Sequence, residues 1–300
     1  MSRFSLARIF GGRRSAENAR ATAGGPPFAS DEKVRDFFFH VHVPKCAGVT
    51  FNGILRRNFG RAFVEDYGLL NNFKYSSKQV LQMITGYLHL RCVASHRFSL
   101  DLPFETDAAS VHAIVFVRDP VEWVASTYFY HRSQPNTLVP LAKERDFEGY
   151  VQERFAAATP GSIGQVRFLA QAGGEEGLAR IRAVANAHSV FLFPVERFEE
   201  SCIVLETLFP RYFVDCAFKL ENATTRDQAV GPHLREKLQP ILNADFELHA
   251  FALEQHEARL RKIFPDRTAL EAKLNDFRER CSKRAISKKR SRRAAAASGR

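Results

Sequence analysis

The chain has 300 residues, 45% of them hydrophobic, and a formal net charge of +11. No apolar run reaches the roughly 18 residues that a membrane-spanning helix needs. The excess charge is that of a nucleic-acid binder until it is located: residues 281–300 carry +8 and residues 1–30 carry +4, which leaves residues 31–280 at −1. The body is near neutral, so polyanion binding, if the charge has that use, belongs to the ends.

The N-terminal stretch MSRFSLARIFGGRRSAENARATAGG is rich in Arg, Ser and Ala, a composition shared with organelle transit peptides. It lacks the continuous apolar centre of a secretory signal, and no anchor of the kind carried by Golgi enzymes is evident. The simpler reading is a disordered basic leader over 1–30, closed by Gly24-Gly25-Pro26-Pro27. The five cysteines, Cys46, Cys92, Cys202, Cys216 and Cys281, are scattered and show no CxxC pair. Free thiols in a reduced, cytoplasmic protein are expected.

FFFHVHV (37–43) predicts a buried strand, and the 27 phenylalanines predict an aromatic core around it. FNGILRRNF (51–59) has helical spacing. SSKQVLQMITGYLHL (76–90) predicts a helix with Ser77 as its cap and a break near Gly86. VHAIVFV (111–117) is a second strand, stopped by Arg118-Asp119-Pro120, and VEWVASTYFYHR continues as a helix. FEGYVQERFAAA (147–158) and GLARIRAVANA (177–187) predict helices, SVFLFPVE (189–196) a strand, and the chain beyond Glu221 is mostly helical. Strands interleaved with helices predict an α/β fold: a P-loop-like parallel sheet flanked by helices, with a helical C-terminal part. One domain over 31–280 and a disordered basic tail over 281–300 complete the expectation.

The stretch HVPKCAGVTF raises a chemical question. A strand that ends in a short loop of small residues and opens a helix is how α/β proteins build an anion site. Ala47 and Gly48 let the backbone approach a phosphate, Lys45 supplies a mobile charge, and Thr50 offers a hydroxyl near the first turn. The order GxxxxGK[ST] is absent, because the lysine precedes the glycine. The second stretch, VFVRDPVEWVASTYFYHR, ends a strand in Arg118 and places Ser126 in the helix that follows. An arginine suits bidentate contact with a phosphate, and a serine hydroxyl adds to it.

Together the two stretches resemble the nucleotide motifs of PAPS-dependent sulfotransferases, in the branch that includes the heparan sulfate O-sulfotransferases and bacterial relatives. The first is similar to the 5′-phosphosulfate loop, approximately H-[IV]-P-K-x-[AG]-G-T-[ST], and departs from it at Val49. The second is similar to the 3′-phosphate motif R-D-P-x-x-R-x-x-S-x-[YF], with Trp123 in place of an arginine. Weaker resemblance runs through GQVRFLAQAGG (164–174), FPVERFEES (193–201) and NADFELHAFA (243–252), so that it covers most of residues 37–264.

The resemblance implies transfer of a sulfuryl group from 3′-phosphoadenosine 5′-phosphosulfate (PAPS), in line, to a hydroxyl of a carbohydrate or glycolipid acceptor, with no metal. It implies that Lys45 and the loop residues Cys46, Ala47, Gly48, Val49 and Thr50 hold the 5′ end, and that Arg118 and Ser126 hold the 3′-phosphate. A general base is also required. His89 is preferred for it, because related enzymes carry a histidine in this segment and imidazole titrates near neutrality; His96 and Tyr87 are the other candidates. His40 and His42 are read as packing or locally bonded residues, His131 as a helix-surface residue, and Gln165 and Arg167 as residues that face the acceptor. The competing readings are a P-loop-type kinase, which needs Mg²⁺ and has Asp119 as its one obvious ligand, a polyanion binder acting through the tail, and a family member that binds nucleotide without catalysis.

Overall fold

The structure, a computed structural model, describes residues 35–67, 73–136, 139–219 and 233–298, with side chains to residue 285 in the last segment. The basic leader lies outside the described residues. In chain order the elements are β1 (Asp36–Val41), α1 (Gly48–Phe59), β2 (Phe63–Glu65), α2 (Ser77–Gly86), β3 (Cys92–Ser95), β4 (Ser110–Val117), α3 (Pro120–Ser133), α4 (Leu141–Glu144), α5 (Phe147–Phe155), α6 (Gln165–Ala170), α7 (Gly174–Ala187), β5 (Val190–Pro194), α8 (Phe198–Leu208), α9 (His233–Ile263) and α10 (Arg267–Ser298).

The five strands form one sheet in the order β2-β3-β1-β4-β5, and every pair is parallel. A parallel sheet is covered on both faces, so its central strands are apolar without alternation. β1 fits this: Phe37, Phe38, Phe39, His40 and Val41 are all buried. Phe38 meets Phe59, Phe209, Tyr212 and Phe213 edge-on, whereas Phe39 packs against Phe98. Tilted and edge-to-face aromatic contacts of this kind add about 0.5–1.5 kcal/mol each to the burial itself. A second apolar cluster joins α3, α5 and α9 through Tyr128, Phe129, Phe147, Tyr150, Leu238 and Leu242. It fixes α3, the helix that follows the Arg118 strand.

The chain leaves β1 toward β2 and β3 on one side, and leaves β4 toward β5 on the other. The connections therefore part between β1 and β4, at their carboxyl ends. Such a switch point is where open α/β sheets bind ligands, and both sequence motifs end there.

Several expectations need correction. α2 ends at Gly86, where the break was expected, but Ser76, not Ser77, caps it: the Ser76 side chain accepts from the Gln79 amide, and Gln79 reaches back. α5 ends at Phe155. The expected boundary at 280/281 falls inside α10, which is helical to Ser298. Across that point Arg280 holds Asp215 and Glu206 at 2.8 Å each, and Arg284 pairs with Asp215. The start of the tail is thus anchored to the body. Among the described residues, no helix is long and apolar enough to cross a membrane.

Candidate active site

The loop between β1 and α1 is shaped by its backbone. Lys45 and Ala47 both adopt the left-handed conformation, with φ of 65° and 58°. That conformation costs on the order of 1 kcal/mol for a residue with a Cβ. The helix that follows has no side-chain cap and no acid in its first turn. By contrast, Ser76, Asp119 and Asp146 cap α2, α3 and α5. The first-turn amides beginning at Gly48 and Val49 point out of the helix start, and with the helix dipole they form a positive concavity.

Each loop residue has a distinct setting. A Cβ on Gly48 would fall inside the His42 imidazole, so only glycine allows that ring to lie against the helix start. Val49 is 49% exposed; the hydroxyl it lacks costs no packing, and its amide stays in the first turn. Thr50 is buried. Cys46 is also buried and donates to Gln165 Oε1 at 3.4 Å. Burial pushes its thiol up, so it stays protonated and is structural.

The Lys45 ammonium lies 3.8 Å from the centroid of the Tyr130 ring. Burial first, and then the nearby Arg118, push its pKa down. Arg118 reaches the Lys45 carbonyl oxygen at 3.4 Å and Glu122 at 3.3 Å. Gln165 ties the two motifs together. Its Oε1 accepts from the Arg118 amide at 2.9 Å as well as from Cys46, and its Nε2 donates to the Arg118 carbonyl at 2.7 Å. Gln165 is therefore buried and fully engaged, and does not face an acceptor as expected. Asp245 holds the start of α6, accepting from the amides of Gln165 and Val166. Gly164, at φ +123°, makes room, because a Cβ there would overlap the Asp245 carboxylate.

Trp123 does not leave a gap where an arginine was expected. Its indole N–H donates to the Pro44 carbonyl at 2.9 Å, one residue before Lys45. Ser126 is half-buried on α3, three residues after Trp123 and four before Tyr130. Helical spacing puts all three on adjoining stripes beside the loop. Asp119 caps α3 through the amides of Val121 and Glu122, and its other oxygen pairs with Arg235. Both its oxygens are engaged, which removes the one ligand the kinase reading had.

The histidines divide by sheet edge. Cys92 of β3 pairs with Phe38, at the beginning of β1. Residues 87–91 precede it, and the carbonyls of Tyr87 and Leu88 accept from Arg35, just before β1. His89 and Tyr87 therefore lie at the amino edge of the sheet, away from Lys45 at the carboxyl edge. The preference for His89 as base is corrected on this ground. His96 follows β3 at the carboxyl edge, with its ring 4.1 Å from that of His42. Its Nδ1 is 2.7 Å from the His42 carbonyl oxygen.

Around it lies a polar network that sequence motifs do not reveal. His42 Nδ1 is 3.0 Å from the Tyr67 hydroxyl, Asn52 donates to the same hydroxyl, and His40 Nδ1 is 2.7 Å from Asn52 Oδ1. His40 and His42 stack at 4.9 Å, as locally bonded residues. Burial pushes His40 down to about 3 and His42 well below its ordinary value, so both rings are neutral. Lys74 was not singled out by any motif. It donates to the carbonyls of His96 and Phe98 at 3.0 and 2.7 Å, and burial lowers it to about 7. His131 sits within the field of Lys45: burial, then Lys45, then Arg154 push its imidazole down.

No family model matches the chain. An uncharacterized protein of Archaeoglobus fulgidus is 29% identical over 221 residues, which span 70% of this chain and 87% of that protein. The crystal structure of a sulfotransferase from Alicyclobacillus acidocaldarius aligns with 79% of this chain and 99% of its own, at 16% identity and a TM-score of 0.34. At that overlap the likeness carries no inference about chemistry.

Proposed function

We propose that the protein is a sulfotransferase that moves a sulfuryl group from PAPS to a hydroxyl of a carbohydrate or glycan-containing acceptor. The observation that carries this reading is the joining of two anion-holding elements at one switch point. The uncapped loop around Lys45 and the strand end at Arg118 touch directly, and Gln165 clamps both. A nucleotide with anionic groups at two positions uses both elements; one with a single phosphate cluster leaves one element idle. The carbohydrate acceptor rests on the motif resemblance.

The chain's own groups meet the needs of the reaction. The amides of Gly48, Val49 and Thr50 hold the 5′-phosphosulfate, and Arg118 with Ser126 holds the 3′-phosphate. Lys45, parked on the Tyr130 face, neutralises charge that builds on the bridging oxygen as the sulfur–oxygen bond breaks. The acceptor oxygen forms the new bond to sulfur while His96 Nε2 takes its proton. Incubation with PAPS labelled at sulfur, in EDTA, with a panel of glycans and glycolipids tests the reading. Label transfer that Lys45→Ala abolishes supports it. Absence of both transfer and adenosine 3′,5′-bisphosphate release contradicts it.

A further inference from the structure

One face of α3 serves two neighbouring surfaces. Glu122 and Tyr130 engage Arg118 and Lys45. Trp123, about two helical turns before Tyr130 and bonded to Pro44, also lines a cleft of about 330 Å³. Val124, Phe155, Ile163 and Phe168 add apolar wall, and Arg154 of α5 and Arg167 of α6 stand at it. The volume lies at the lower end of the range for small-molecule sites.

Arg118, Arg145, Arg182 and Arg197 each hold a carboxylate. Arg154 and Arg167 are in no such pair among the described residues, and both are exposed at the cleft. Guanidinium groups beside apolar walls favour a ligand with an anionic group next to an apolar body. A neutral ligand would leave the exposed cations to water alone, and a bare inorganic anion would leave the walls wet. The cleft also communicates with the loop, since Trp123 bonds Pro44 and His131 feels both Lys45 and Arg154.

We infer that this cleft binds an amphipathic organic anion, an apolar chain or ring bearing a phosphate or carboxylate, as the non-reacting end of the acceptor. The binding stands on the cleft alone; only the ligand's role as acceptor rests on the transferase reading. Trp123 is the chain's one tryptophan, so its fluorescence reports occupancy directly. Titration of the full chain with octyl phosphate, below its aggregation threshold, is expected to change Trp123 emission saturably. The Arg154→Gln/Arg167→Gln double variant is expected to bind at least about tenfold more weakly, each lost charged contact being worth roughly a factor of ten. Octanol and inorganic phosphate are expected to bind far more weakly than octyl phosphate. No emission change, equal affinity for octanol, or an unaltered double variant would overturn the inference. Displacement of octyl phosphate by adenosine 3′,5′-bisphosphate would also overturn it, because the cleft would then be part of the nucleotide site. Octyl phosphate binding without any binding of the bisphosphate would sink the transferase reading and leave the cleft assignment standing.

Discussion

The Nδ1 atom of His96 lies 2.7 Å from the carbonyl oxygen of His42. A carbonyl only accepts, so Nδ1 carries the hydrogen of the neutral ring and Nε2 keeps its lone pair. Burial holds the imidazole below its ordinary range, which keeps it neutral at pH 7. His96→Ala is expected to lower single-turnover transfer by about 10²–10⁴ with bisphosphate affinity unchanged. His89→Ala, at the far edge of the sheet, is expected to keep its rate within about a factor of two, the scale of an exposed substitution remote from the site. The reverse pattern would return the base to His89.

The pH profile follows from the same ring. If His96 is the base, as proposed, protonation of Nε2 removes it, so the rate falls on the acid side, and burial moves that fall below the ordinary value of 6.5. Lys74, charged in this range, is among the groups that push His96 down, and it also holds the His96 carbonyl. Lys74→Met removes that charge, so the acid limb is expected to move toward higher pH. A rate–pH series on both proteins checks the direction; an unmoved limb would mean that Lys74 only packs.

Gln165 holds the Arg118 amide, the Arg118 carbonyl and the Cys46 thiol. Gln165→Ala leaves buried groups unpaired, at a cost of about 1–3 kcal/mol. Adenosine bisphosphate affinity is expected to drop roughly tenfold or more, in line with that energy, as Arg118 and the loop lose their common support. Cys46→Ser keeps a donor to Gln165 and is expected to be tolerated. Calorimetry on the two variants separates the effects.

Asp245 links the site to stability. Its ordinary value is 3.8, and burial pushes it up to about 7. Between these values the folded protein holds a proton that the unfolded chain has lost, so this group stabilises on acidification and loses that contribution as pH rises. Asp245→Asn cannot titrate. Denaturant unfolding at a series of pH values is expected to show wild type gaining about 1.4 kcal/mol per unit relative to the variant as pH falls from 7 toward 4. A constant gap between them would show that the buried carboxyl does not retain its proton.

β1, β4 and β5 are legible in the sequence because each is a continuous apolar run that a two-sided parallel sheet requires. β2 and β3 are only three and four residues long. Their strand character comes from pairing alongside β1, which no local pattern announces. The loop from Lys45 to Thr50 and the Arg118 turn are legible as motifs because their chemistry is local. Which histidine reaches them is not, since His89 and His96 are seven residues apart and only the register of β3 assigns them to opposite edges. Gln165 and Lys74 are single polar residues whose partners lie 119 and 22 residues away. The composition of residues 281–300 reads as a disordered tail, but Arg280, Cys281 and Arg284 tie its start to Asp215 and Phe218.

The most direct measurement is a calorimetric titration of the purified chain with adenosine 3′,5′-bisphosphate in EDTA, alongside adenosine 5′-monophosphate and ATP. If the Lys45 loop and Arg118 grip two separate phosphates, the bisphosphate binds in the micromolar range without metal. The monophosphate then binds much more weakly, and Arg118→Ala removes the difference. Equal affinity for the bisphosphate and the monophosphate, or binding of ATP alone and only when Mg²⁺ is restored, would contradict the sulfotransferase reading.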